Sequence, residues 1–192
     1  MDRKVTFILF GILIGIALGL SILELLPSRG SAIPSAPSLT EDQDDQQQEL
    51  VSGSLINNLA PEFTLMTLDG QQIRVDEFRG RYGLINFWAT WCAPCLNELP
   101  VFQSRYQSSI SDDFFILAVN AGEPRERIQV FLNDLNLAFP ILLDPESEVQ
   151  QMYQVKGFPV SYILDREGII RFIHYGELTA PQLEEYLSKV GF

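Results

Sequence analysis

The chain has 192 residues, with 13 Lys and Arg against 25 Asp and Glu for a formal charge of −12, a length that holds one compact domain and an appendage. An acidic chain without a basic stripe repels phosphate backbones, which argues against a nucleic-acid binder. Its 2 cysteines and 1 histidine cannot staple a disulfide scaffold or fill the four ligand positions of a structural zinc site, so soft-metal or redox chemistry must run through one cysteine pair.

After Met1–Lys4 comes an uncharged run over residues 5–23, VTFILFGILIGIALGLSIL. As a helix it approaches the hydrocarbon thickness of a bilayer, and residues 5–26 are expected to form a transmembrane anchor. A cleavable signal peptide is the competing reading, but its apolar core is normally shorter, and Pro34 and Pro37 among the small residues make a poor cleavage site. Arg3 and Lys4 precede the run and only Arg29 follows it before an acidic stretch, so the positive-inside bias puts residues 1–4 in the cytoplasm and the rest outside. Residues 27–56 are rich in Ser, Pro, Gln and Asp with few large apolar side chains, the composition of a flexible acidic tether.

From residue 57 to 192 strand and helix patterns alternate. Residues 62–68 and 72–75, turned by Asp69-Gly70, predict a hairpin, and residues 84–89 (LINFWA) a buried strand. Leu96, Leu99, Phe102 and Tyr106 recur at helical spacing, followed by a second buried strand at 114–119 (FFILAV). Ile128, Phe131, Leu132 and Leu135 predict a helix with one apolar stripe. A short strand at 141–143 leads to Asp144-Pro145, read as an N-cap with proline at the first helical position, ahead of a helix burying Val149, Met152 and Tyr153. Residues 160–164 and 169–175 form a second hairpin, and Thr179-Ala180-Pro181-Gln182 opens a last helix with a capping box. The order implies an α/β domain whose parallel or mixed sheet is covered on both faces.

The chemistry lies in Asn86-Phe87-Trp88-Ala89-Thr90-Trp91-Cys92-Ala93-Pro94-Cys95. A strand ends, a turn follows, and a helix starts at or near Cys92. Two residues between the cysteines let both sulfurs meet across the first helical turn. Cys92 lies where unpaired N–H groups and the helix dipole favour a thiolate, while Cys95 sits one turn deeper. One sulfur that attacks and one that resolves is what disulfide exchange requires. A structural disulfide is the plainer alternative, but so small a loop removes little chain entropy.

FWATWCAPC resembles the thioredoxin superfamily, and its surroundings resemble the TlpA-like, membrane-anchored branch that includes ResA- and CcmG-type (redoxin) thiol–disulfide oxidoreductases of cytochrome c maturation. Pro100 matches the proline inside the family's first helix. Val155-Lys156-Gly157-Phe158-Pro159 looks like the loop whose cis-proline faces the active cysteines, and residues 123–145 resemble the branch's helix-and-strand insertion. The resemblance implies a thioredoxin-like fold with an N-terminal β-hairpin, Cys92 and Cys95 as the redox-active disulfide with no other cofactor, and Trp91, Pro94, Phe158 and Pro159 lining the substrate surface. Asn86 stands where plain thioredoxins carry a buried aspartate; Glu98, at the acidic position of the WCxxCxxE pattern, is then the proton acceptor for Cys95. Relatives often carry Thr or Glu after the cis-proline, where this chain has Val160-Ser161.

The expected activity is reduction of protein disulfides outside the cytoplasm by a membrane-tethered enzyme. The resemblance implies apocytochrome c as substrate and a membrane electron donor of the CcdA or DsbD type. Two other readings compete. A peroxiredoxin-like peroxidase needs Thr three residues before its reactive cysteine, where this chain has Ala89, with Thr90 out of register. A copper-delivery protein resembling the Sco family pairs CxxxC with a distant histidine, whereas this chain has CxxC and His174, which the strand pattern places in a pleat.

Overall fold

A computed structural model describes residues 51–192 of the chain, apart from 110–112, 134 and 136. The expected anchor at 5–26 and most of the expected tether lie outside these residues; among the described residues no helix is long and apolar enough to cross a membrane. Residues 51–56, assigned by sequence to the tether, are already bonded to the fold. Leu59 donates to the Val51 carbonyl and Gly53 to that of Leu59, while Ser54 is buried.

One mixed sheet organises the domain. Its strands are β1 (Thr64–Thr67), β2 (Gln72–Arg74), β3 (Tyr82–Trp88), β4 (Phe114–Ala121), β5 (Ile141–Asp144), β6 (Val160–Leu164) and β7 (Ile170–Tyr175), in the spatial order β2-β1-β5-β4-β3-β6-β7. β3, β4 and β5 run parallel, and both hairpins attach antiparallel at the flanks. The helices are α1 (Ala93–Ser108), α2 (Arg125–Leu132), α3 (Glu148–Met152) and α4 (Ala180–Val190).

The two-residue pleat of β3 and β4 divides the core. Leu84, Trp88, Ile116 and Ala118 face Leu99 and Phe102 of α1, Ile128 of α2, and Leu183 and Leu187 of α4. Ile85, Phe87, Leu117 and Val119 face the opposite side, against Val149, Tyr153 and Phe63. β4 is buried along its whole length, as a central parallel strand covered on both faces must be.

Three local expectations change. α2 stops at Leu132, so Leu135 falls beyond the stripe and is 38% exposed. Asp144 ends β5 rather than standing next to a helix. From there its carboxylate accepts from the N–H groups of Glu148, Val149 and Gln150 at 2.9, 3.3 and 2.9 Å, so one side chain caps α3 across Pro145-Glu146-Ser147. Met152 lies on the outside of α3 at 45% exposure, while Val149 and Tyr153 are buried. At α4 the box forms, with the Thr179 N–H donating to Gln182 Oε1 at 3.0 Å.

Gly83 marks the tightest approach in β3, because a Cβ there would overlap the ring of Phe115, itself buried in the second cluster. Gly83→Ala is expected to destabilise the fold by about 1–3 kcal/mol, read in urea denaturation as a lower midpoint at unchanged m-value.

Candidate active site

The site forms where β3 ends. A turn is closed by the Cys92 N–H donating to the Ala89 carbonyl at 3.1 Å, and Cys92 is the N-cap residue of α1, with extended backbone (φ −88°, ψ 97°). Its Sγ accepts from the Cys95 N–H at 3.3 Å, so the helix's first turn is closed partly by sulfur. Pro94 occupies this turn, where a missing N–H costs nothing. Cys92 and Cys95 form a disulfide with Cα atoms 5.3 Å apart; Cys95 is fully buried and Cys92 almost so.

The turn throws Trp91 outward to 67% exposure, where its ring meets that of Phe158 edge-on at a centroid distance of 5.6 Å. The Phe158–Pro159 peptide is cis. This contact brings the Pro159 loop alongside the cysteine pair, although the two are far apart in the chain. A cleft of about 470 Å³ runs along the same loop, lined among others by Leu55, Lys156, Phe158, Pro159 and Tyr175. Trp88, three residues before Trp91, lies wholly in the core.

Behind the disulfide, Glu98 sits one helical turn past Cys95 with no solvent exposure, a spacing that puts both on one helix face. Asn86 Nδ2 donates to its Oε1 at 2.7 Å and the Leu178 N–H to its Oε2 at 3.0 Å. Asn86 also donates to Ser161 Oγ at 3.0 Å. β3 and the turn after β7 thus both donate to one carboxyl group on α1, and β6 is joined to it through Asn86. Burial raises the Glu98 pKa from 4.5 to about 7 against the two hydrogen bonds that favour its ionised form, with the neighbouring Glu177 charge adding to the rise. At neutral pH the group is therefore poised both to accept and to donate a proton.

A second buried carboxylate, Glu123, follows β4. It accepts from the Thr90 N–H at 2.7 Å, the Thr90 hydroxyl at 2.6 Å and Asn120 Nδ2 at 2.9 Å. Glu123 was placed by sequence only at the start of an insertion; the available signal was two polar residues, Asn120 near the end of an otherwise apolar strand and Glu123 just beyond it. Ser161 and the Leu178 N–H were likewise missed, the latter because a backbone donor leaves no mark in a sequence. His174 pairs with Ser161 across β6–β7, and its ring bonds Tyr186 Oη at 3.2 Å and the Glu177 carbonyl at 3.0 Å. Among the described residues no group of three or more His, Cys, Asp or Glu side chains is placed to hold a metal ion.

A mixed sheet, a disulfide at a helix N-terminus and an adjoining cis-proline loop define a thioredoxin-like protein. Residues 56–173 match the AhpC/TSA family, to which the chain belongs. It is 33% identical over 135 residues to the thiol-disulfide oxidoreductase ResA of Geobacillus thermodenitrificans (strain NG80-2), covering 70% of this chain and 78% of that one. It is 37% identical over 132 residues to the thioredoxin-like protein YneN of Bacillus subtilis (strain 168), covering 67% and 76%. Among solved structures, StoA from Bacillus subtilis superposes with a TM-score of 0.59 at 32% identity, covering 66% of this chain and 96% of that one. A Chlorobium tepidum protein described as a thiol:disulfide interchange protein DsbE gives 0.61 at 30%, covering 69% and 95%. The chain is a thiol–disulfide oxidoreductase of the ResA and DsbE type.

The buried carboxyl group has a stability signature. Because its folded pKa lies above its unfolded value, it favours the folded state fully below pH 4.5, and that contribution is lost as pH rises to about 7. The loss amounts to about 3 kcal/mol. Glu98→Gln is expected to abolish it, so that urea denaturation shows the variant gaining on the parent protein between those pH limits and holding its gain above them.

Proposed function

We propose that this oxidoreductase reduces protein disulfides outside the cytoplasm, tethered by residues 5–26, and that it serves cytochrome c maturation. The observation that carries the exchange reading is the asymmetry of the pair, with Cys92 as the N-cap residue beside exposed Trp91 and Cys95 one turn deeper above Glu98. The Cys92 thiolate attacks one sulfur of a substrate disulfide, forms the mixed disulfide and expels the other substrate sulfur as a thiolate. Glu98 takes the Cys95 proton, and the Cys95 thiolate attacks Cys92 and expels the second substrate sulfur. Each turnover converts a substrate disulfide to a dithiol and leaves Cys92–Cys95 oxidised, as it is in this structure. Two electrons and two protons then return from a membrane donor of the CcdA or DsbD type.

Several features support a polypeptide substrate. Trp91, Phe158 and the cleft along Pro159 offer an apolar strip beside the cysteines, and Tyr175 extends it at 73% exposure. Apocytochrome c, with its CxxCH thiols, is the substrate that the resemblance to ResA- and CcmG-type proteins suggests. The peroxidase reading finds no support at Ala89, whose methyl group cannot hydrogen-bond a peroxide.

The test is capture in cells. Cys95→Ser leaves the mixed disulfide unresolved and is expected to accumulate adducts through Cys92 that contain apocytochrome c and vanish in Cys92→Ser. Adducts lacking any apocytochrome c contradict the maturation role, and no adducts at all contradict reduction of protein disulfides. With purified protein, Glu98→Gln is expected to slow disulfide reduction at pH 7 by about 10²-fold and to remove the inflection near pH 7 from the rate profile.

A further inference from the structure

The turn that carries Cys92 has a backbone donor it cannot satisfy itself. The Ala89–Cys92 turn is closed by Cys92 N–H to Ala89 O, which leaves the N–H of Thr90, its second residue, without a partner inside the turn. Glu123 Oε2 supplies one at 2.7 Å, while Oε1 accepts the Thr90 hydroxyl at 2.6 Å. Both oxygens of a side chain only 3% exposed therefore accept from one residue, two positions before the attacking cysteine. Asn120 Nδ2, donating to Oε2 at 2.9 Å, fixes the carboxylate from the adjoining strand, and Arg127 lies 3.8 Å from Oε1 at the surface side.

We propose that Glu123 is a positioning residue for disulfide exchange, fixing Thr90 so that the turn holds Cys92 over the first turn of α1 within reach of Cys95. The proposal deepens the oxidoreductase reading and depends on it. Charge-assisted bonds of this kind are among the stronger ones in proteins, and a buried N–H left without an acceptor is costly, so the turn has one favoured placement. A preorganised turn raises the effective concentration of one thiol at the other. A loosened turn makes the oxidised pair easier to reduce.

The test compares Glu123→Ala with Glu123→Gln. Both remove the charge, but Gln keeps an oxygen for the Thr90 and Asn120 donors and an amide N–H for the Thr90 hydroxyl. Redox equilibration of each purified protein against dithiothreitol is expected to move about tenfold toward the dithiol in Glu123→Ala, with Glu123→Gln recovering most of the shift. Thr90→Val against Thr90→Ser repeats the comparison from the other partner and stands alone if Glu123→Ala does not fold. A merely structural role destabilises oxidised and reduced forms alike. Equal equilibrium constants across each pair, with lowered melting temperatures in the Ala and Val variants, therefore overturn the proposal. Failure of the unaltered protein to exchange with dithiothreitol overturns the oxidoreductase reading instead.

Discussion

A carboxyl group buried in the apolar layer beneath a disulfide is the constraint around which this domain is arranged. Glu98 shares its environment with Cys95, Leu99 and Leu178, all without solvent exposure, and such surroundings penalise the ionised form. Two donors soften the penalty without cancelling it, which is why the group titrates near 7 rather than at its ordinary value. Asn86 matters here as much as Glu98. A neutral amide can donate to the carboxylate, whereas an aspartate at the same place would set two like charges at hydrogen-bond distance. Substituting Asn for Asp on β3 and placing Glu on α1 are thus two parts of one arrangement.

The fold serves this arrangement by bringing chain ends of different elements to one edge. The parallel strands β3 and β4 deliver Thr90 and Glu123 to the same end of the sheet, where one holds the other. The antiparallel strand β6 lies beside β3 with Ser161 opposite Asn86, and its own start carries the cis-proline loop. β7 then returns the chain so that the Gly176 N–H reaches the Pro159 carbonyl at 2.9 Å and the Leu178 N–H reaches Glu98. The two cores differ accordingly. The layer under α1 contains the sulfurs and the buried Asn86–Glu98 pair, while the opposite layer is filled by Phe87, Tyr153 and Tyr162 in edge-on or tilted contact. One layer carries chemistry and the other holds the sheet.

Much of this was legible in the sequence because its signals are local. The apolar run before CAPC marks a buried strand, Cys92 and Pro94 mark a helix start, and Gly157-Phe158-Pro159 marks the loop opposite. The capping box at Thr179 and both hairpins also follow from adjacent residues. What escaped depends on contacts between distant residues or on backbone atoms. Nothing near Asp144 shows that its carboxylate spans three intervening residues to cap α3. Nothing near Leu135 shows that α2 has already ended. Glu123 reads as an ordinary acidic residue after a strand until β4 is set beside β3, and only then does Thr90 come within its reach.

The most direct measurement is a titration of the Glu98 side-chain carboxyl by carbon NMR in the oxidised protein, assigned by its loss in Glu98→Gln. Burial predicts a midpoint near 7. A midpoint at the ordinary 4.5 would show that water reaches the group, and would contradict the proton-transfer role built on its isolation.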